Sequence, residues 1–267
     1  SRTVTNWKNN NKHLISLEKV GTRENYNTFG KQIMRRRASA PLLCLEHDDN
    51  ELDLYFQHKR KNKKGNIETY YFERFVIAVV IDTYNDYILG FAIAETYTKD
   101  LIRLAYLDAV HHIHNLTGGW YLPHQIRSDR FGLDPKLTND LAQFYQSLAI
   151  YTPAAVKVAR SKYIERSFGD RWHQALACYK NYSGTNITSK THVPQEYIEL
   201  NKKDYPTTEQ APQQIEHFIN TMRHLVDEKT GLSKQEQWIT AFNESEKSKQ
   251  HCRSEERRVG KECLRLC

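Results

Sequence analysis

The chain contains no run of 18 apolar residues, which excludes a membrane-spanning helix of ordinary length. Its most apolar stretch, residues 75–94, is interrupted by TYNDY (83–87) and reads as two strands. Cysteine is sparse as well. The five cysteines, Cys44, Cys178, Cys252, Cys263 and Cys267, form no CxxC pair. A disulfide framework or zinc centre is therefore not expected, and a reducing compartment is. No secretory leader is recognisable at the start, and no internal repeat stands out.

What is present suits a globular body. The 267 residues are 39% hydrophobic and 27% charged, enough for one large domain, or a medium one with appendages. The formal net charge is +7, a balance that favours polyanionic partners. Arg35–Arg37 form one basic run and His58–Lys64 (HKRKNKK) another. Such runs are ordinarily solvated faces, and only their placement can make them more.

Both ends look foreign to a natural domain. The chain opens at Ser1, and Arg253–Cys263 (RSEERRVGKEC) resembles the translation of a common DNA-sequencing adapter. Residues 251–267 are expected to be a non-native tail, with the natural protein continuing past this point. Setting aside Arg253–Cys267, which holds five basic and three acidic residues, lowers the net charge from +7 to +5.

Residues 1–40 are polar, with weak helical patterning at Leu14–Val20 and Phe29–Met34. They read as a linker or the end of an upstream DNA-binding module. Pro41 marks entry into a compact domain spanning 41–185. Leu42–Gln57 reads as an extended first strand. Lys61–Asn66 is a turn with Gly65 placed for positive φ. Ile67–Asp82 (IETYYFERFVIAVVID) is rich in β-branched and aromatic residues and reads as one strand, and Ile88–Thr96 as the next. An apolar helical stripe follows through Leu101, Leu104, Ala105, Leu107, Ala109, Ile113 and Leu116, with Thr98 as N-cap and Gly118-Gly119 as its end. His124–Asp129 is a short fourth strand and Leu137–Leu148 a second helix capped by Thr138. Ala149–Ala154 is a fifth strand stopped by Pro153, and a third helix runs from Ser161 to about Tyr182. Residues 186–206 read as an irregular connector, followed by helices at 208–228 and 232–248, so that 186–250 form a connector and helical extension.

The order is β-β-β-α-β-α-β-α. It predicts an α/β fold: a mixed five-stranded, ribonuclease-H-like sheet with helices on both faces. In that arrangement the first and fourth strands are neighbours, which gives three acids a shared location. Asp48 lies in the first strand, Asp129 ends the fourth, and Glu165 sits on the helix after the fifth. A cluster of carboxylates repels itself unless cations fill it. Oxygen ligands of this kind suit Mg²⁺ or Mn²⁺, and a pair of such ions serves phosphodiester chemistry.

Each acid also has a plainer reading. Asp129 at a strand end is the usual turn former, and Glu165 on a helix is the usual solvated residue. Asp49 competes with Asp48. Asp82 closes the second strand and reads as a cap for the TYNDY turn. His111 and His114 of the HHIH run lie on one helical face without a second ligand pair, and read as surface histidines. Trp120 and Tyr121 read as core plugs.

Asp129 and Glu165 are separated by 35 residues, and here the chain resembles the DDE transposases and retroviral integrases. RSDRFG is similar to that superfamily's second-acid motif, and TPAAVKVARSKYIERSF to its segment running into the glutamate helix. HDDNELDLYFQ and VVIDTYNDYILGFAIAET resemble the first three strands of bacterial mobile-element transposases, including phage-Mu-like ones. The likeness spans about Pro41 to Tyr182. Arg130 stands where Asn is common after the second acid, and no Trp precedes Asp48. The resemblance implies that Asp48, Asp129 and Glu165 are the catalytic, metal-binding triad, with two Mg²⁺ or Mn²⁺ as cofactors. Lys157, Arg160, Lys162 and Arg166, surrounding Glu165, are expected to contact DNA phosphates, and Tyr163 is a candidate for stacking on an unpaired base. The partners implied are element-end and target DNA and further copies of the chain in a bacterial, cytoplasmic, nucleoid-associated complex, with no membrane. The implied reaction is nicking at element ends followed by transfer of the 3′-OH into target DNA. The alternatives are another ribonuclease-H-like nuclease, such as a resolvase, and a DNA-binding remnant without catalysis.

Overall fold

A computed structural model of the chain describes residues 2–12, 14, 18, 37–128, 140–153, 164–184 and 193–250. Helix α1 (Arg2–Asn10) belongs to one compact unit (1–36 with 155–161). All elements below belong to the other (37–154 with 162–267). The expected helical segments near 14–20 and 29–34 fall mostly or wholly outside the described residues, as does the tail 251–267.

The body is built on a mixed five-stranded sheet. In chain order its strands are β1 (Cys44–Glu51), β4 (Val76–Asp82), β5 (Tyr87–Ala94), β6 (Gln125–Ser128) and β7 (Ile150–Pro153). Across the sheet the order is β5-β4-β1-β6-β7. β4 pairs antiparallel with both β5 and β1, while β1, β6 and β7 run parallel. The all-apolar sequence of β4 up to Asp82 suits this interior position, where both faces are covered. Ile77, Val79 and Ile81 enter one core, and Ala78 and Val80 the other.

Helices cover both faces. The Ala78/Val80 side packs α2 (Lys99–Thr117), α3 (Asp140–Leu148) and α8 (Lys234–Glu244). The Ile77/Val79/Ile81 side packs α4 (Ile164–Ser167), α5 (Asp170–Leu176) and α7 (Ala211–Arg223). The short α6 (Gln195–Asn201) and α9 (Glu246–Gln250) complete the set. α2 starts and stops where its sequence says: the Thr98 side chain accepts the Leu101 N–H, and Gly118, at φ 73°, donates back to His114 O. It approaches β5 so closely that a Cβ on Gly90 would stand 2.3 Å from Ala105 O and 2.4 Å from Ala109 N. Only glycine fits there, because the obstacle is helix backbone that cannot step aside.

Four expectations need correction. The run 67–82 is two strands, β3 (Ile67–Glu73) and β4, not one. β3 pairs with β2 (Phe56–Lys61) in a separate two-stranded ribbon, so the extended segment from Leu42 is likewise split. The break has a physical cause at Arg74. Its guanidinium donates to Glu51 Oε1 at 3.0 Å, Tyr55 OH at 3.2 Å and Ser183 Oγ at 3.0 Å, pinning the ribbon's base to the body. The helix expected from Ser161 to Tyr182 is interrupted at Gly169, which has the extended backbone of an N-cap. The connector expected at 186–206 contains α6 and a 3₁₀ turn at Lys202–Asp204.

Candidate active site on the central strand

The alternation of β1 sorts its polar run EHDD onto two faces. Leu45 and His47 point into the core shared with α2 and α3. Glu46 and Asp48, paired across from Ile81 and Val79, point to the other side, toward α4.

On the first face His47 is buried between two tyrosines. Its Nδ1 is 2.9 Å from Tyr106 OH and its Nε2 is 3.0 Å from Tyr145 OH. Either tautomer satisfies both ring nitrogens, one accepting a tyrosyl proton and the other donating. Burial raises the pKa of both phenols, so they remain protonated partners. This is a packing device that holds the middle of β1 rigid from behind.

On the second face Glu46 is fully buried. Its Oε1 accepts from Arg127 Nη1 at 2.8 Å, a cross-strand pair set by the parallel Glu46↔Arg127 register. Its Oε2 accepts the backbone N–H of Ile164 at 3.2 Å, the first residue of α4. That N–H lacks a partner within its own helix. One carboxylate thus ties together β1, β6 and α4. Removing either partner of such a pair would leave an uncompensated charge in a buried setting.

Asp48 lies two residues further along the same face, half-buried, in the middle of the sheet. Asp49 is exposed and points to the opposite face. Glu165 follows Ile164, so its backbone lies in α4, on the Asp48 side of the sheet; the side chains of Glu165 and Arg166 are not among those described. Asp129 follows β6 directly in sequence and lies outside the described residues, as do Lys157, Arg160, Lys162 and Tyr163.

Asp82 has a different role. It is fully buried, its Oδ2 accepting from Leu42 N at 2.7 Å and Trp238 Nε1 at 2.9 Å, its Oδ1 from Tyr84 N at 2.9 Å. It caps the TYNDY turn as expected, and it also holds Leu42 in a left-handed conformation (φ 63°) that is costly for a side chain of this size. Burial raises its pKa to about 6. Burial likewise pushes the Cys44 thiol up to about 11, leaving it inert at neutral pH. Of the HHIH run, His112 is half-buried, its Nε2 2.7 Å from Tyr87 OH, and its pKa falls to about 3 through burial. His111 is exposed, and His114 stacks on Trp120 at 4.1 Å. Tyr121 packs edge-on against Phe242.

Glu46 and Arg127 were not singled out in the sequence. Their signal was positional: Glu46 lies two residues before Asp48 on the same strand face, and Arg127 two residues before Asp129 in sequence.

Neither a protein-family model nor a curated protein matches the chain. Among solved structures, one chain of the cryo-EM structure of a simian T-cell lymphotropic virus intasome in complex with PP2A regulatory subunit B56 gamma overlaps it at a TM-score of 0.42 and 15% identity. The overlap covers 77% of this chain and 59% of that one. At that score the likeness adds no weight to the geometry above. Among the described residues no helix is long and apolar enough to cross a membrane.

Proposed function

We propose that this chain is the ribonuclease-H-like catalytic core of a DDE-type DNA transposase, which nicks element ends and transfers the 3′-OH into target DNA. The observation that carries the reading is the position of Asp48. It sits mid-way along the central strand, on the face where Glu46 ties that strand to the one leading into Asp129 and to the helix bearing Glu165. The strand order β5-β4-β1-β6-β7, with β4 running opposite to the other four strands, is the order this reading requires.

Asp48, Asp129 and Glu165 are the proposed ligands of two divalent cations. Among the described residues no group of three His, Cys, Asp or Glu gathers to hold a metal, and two of the three proposed ligands lie outside the described side chains. The donor chemistry fits: three carboxylates and no thiolate form a hard oxygen set suited to Mg²⁺ or Mn²⁺. When bound, such ions supply charge stabilisation for the attacking and leaving oxygens of an in-line displacement. The protein's own share is positional. Glu46 orients the strand and helix that carry the ligands, the His47 tyrosines brace β1 from behind, and Lys157, Arg160, Lys162 and Arg166 are proposed to hold the phosphates. Element-end DNA, target DNA and further copies of the chain are the proposed partners.

The test uses Asp48→Asn. Mn²⁺ binding followed by calorimetry is expected to weaken at least about 10-fold, and Mg²⁺-dependent nicking of supercoiled plasmid to be lost, while Asp49→Asn retains both. Joining of a 3′-OH oligonucleotide to plasmid separates strand transfer from hydrolysis alone. Unchanged Mn²⁺ affinity and nicking in Asp48→Asn overturn the assignment.

A further inference from the structure

The β2–β3 ribbon is the largest element that the proposed active site does not use. It lies outside the main sheet, and among the described residues its anchors gather near its base. Phe56 is fully buried there, Gln57 N donates to Pro206 O at 2.8 Å, and Arg74 clamps the return strand. A two-stranded ribbon is marginal by itself, so these anchors are what hold it in place. Beyond them the ribbon is solvated: Lys59, Arg60, Lys61, Lys63 and Lys64 are all exposed.

Its charge is one-sided. Residues 58–73 carry five Lys or Arg against Glu68 and Glu73. Among the described residues, none of Lys59, Lys61, Lys63 and Lys64 has an ion-pair partner. The tip is also ordered rather than loose. Asn62 Oδ1 accepts from Lys64 N and Asn66 N, both at 2.9 Å, its Nδ2 donates to Glu68 at 2.6 Å, and Gly65 supplies the positive φ of 84° that closes the turn. Arg60 is held with its guanidinium carbon 4.3 Å from the Tyr70 ring centroid. Cations on a preorganised support lose less side-chain freedom when they meet an anion.

Alternation spaces Lys59 and Lys61 on one face, about 6.7 Å apart along the strand, comparable with the separation of neighbouring phosphates on one DNA strand. A two-stranded ribbon is also narrow enough for the major groove.

We propose that the β2–β3 ribbon is an arm that grips the phosphate backbone of duplex DNA, with Lys59, Lys61, Lys63 and Lys64 as its contacts. It rests on the DNA partner of the reading above but not on the metal chemistry, so the two fail separately. Lysines on a ribbon also discourage edge-to-edge pairing with other chains, and the test distinguishes that role.

The probe is a fluorescein-labelled duplex of random sequence, titrated with the full chain from about 50 to about 200 mM salt. A triple variant of the arm, Lys61→Gln/Lys63→Gln/Lys64→Gln, is compared with an equal charge loss elsewhere, Lys180→Gln/Lys229→Gln/Lys247→Gln. The arm variant is expected to lower the slope of log affinity on log salt by about 2 to 3, and the control by less than about 1. Thermal unfolding should match wild type in both, since all six lysines are exposed. Equal slopes for the two variants overturn the proposal. So does aggregation of the arm variant with its salt slope intact, or a larger loss on vesicles of anionic lipid than on DNA.

Discussion

Two aspartates on neighbouring strands, Asp82 on β4 and Asp48 on β1, have opposite surroundings. Asp82 is sealed from water and surrounded by three N–H donors from Leu42, Tyr84 and Trp238. Asp48 stands half-buried, beside a glutamate already engaged with Arg127 and Ile164. The first carboxylate organises the chain around itself: it joins the entry to β1, the β4–β5 turn and helix α8. The second lies on a braced strand and is half-buried rather than sealed. The contrast separates a structural acid from a candidate chemical one by surroundings rather than by residue type.

The contrast breaks most sharply in an exchange of losses. Asp82→Ala leaves three donors buried without acceptors and should cost about 3 kcal/mol or more in urea unfolding. Asp48→Asn should change stability by less than about 1 kcal/mol, because it removes a charge that is only half-buried. If Asp48→Asn proves the more destabilising of the two, the roles drawn here are reversed.

A smaller effect follows from pH. Folding raises the Asp82 pKa from 3.8 to about 6, so the folded state binds that proton more tightly than the unfolded chain does. Stability linked to Asp82 is therefore fully present below about 4, falls as pH climbs toward about 6, and is flat above it. The loss across the window should reach up to about 3 kcal/mol. Asp82→Asn should lack this component, and parallel pH profiles for wild type and variant would refute it.

The finest test concerns the brace. Tyr145→Phe removes one of the two hydroxyls that hold His47 and should cost about 1 kcal/mol. It should lower nicking by slackening β1, with Mn²⁺ affinity falling in step. A stability loss with unchanged Mn²⁺ affinity would confine the tyrosine to packing.

Much of the fold was legible. The α2 stripe at Leu101, Ala105, Ala109 and Ile113 with its Thr98 and Gly118 caps, the β4 run, and the turn at Asp82 follow from periodicity and local chemistry, which depend on near neighbours; Leu104, expected in that stripe, is exposed instead. The ribbon was not legible, because nothing between Glu73 and Arg74 is a breaker in sequence. The bend is enforced by Glu51, Tyr55 and Ser183, partners far along the chain. Length was the overlooked signal: 16 residues from Ile67 to Asp82 exceed an ordinary strand. Likewise Asp48 is a candidate by its motif alone, whereas Glu46 acquires its contacts only when β6 and α4 arrive.

That late arrival governs how the site comes into being. Glu46 and the backbone it captures are 118 positions apart. During synthesis the central strand leaves the ribosome long before its clamp exists. Until then the glutamate waits in water, and its tie to α4 carries the closure cost of a long-range contact. A nascent chain that ends before residue 164 cannot make that tie.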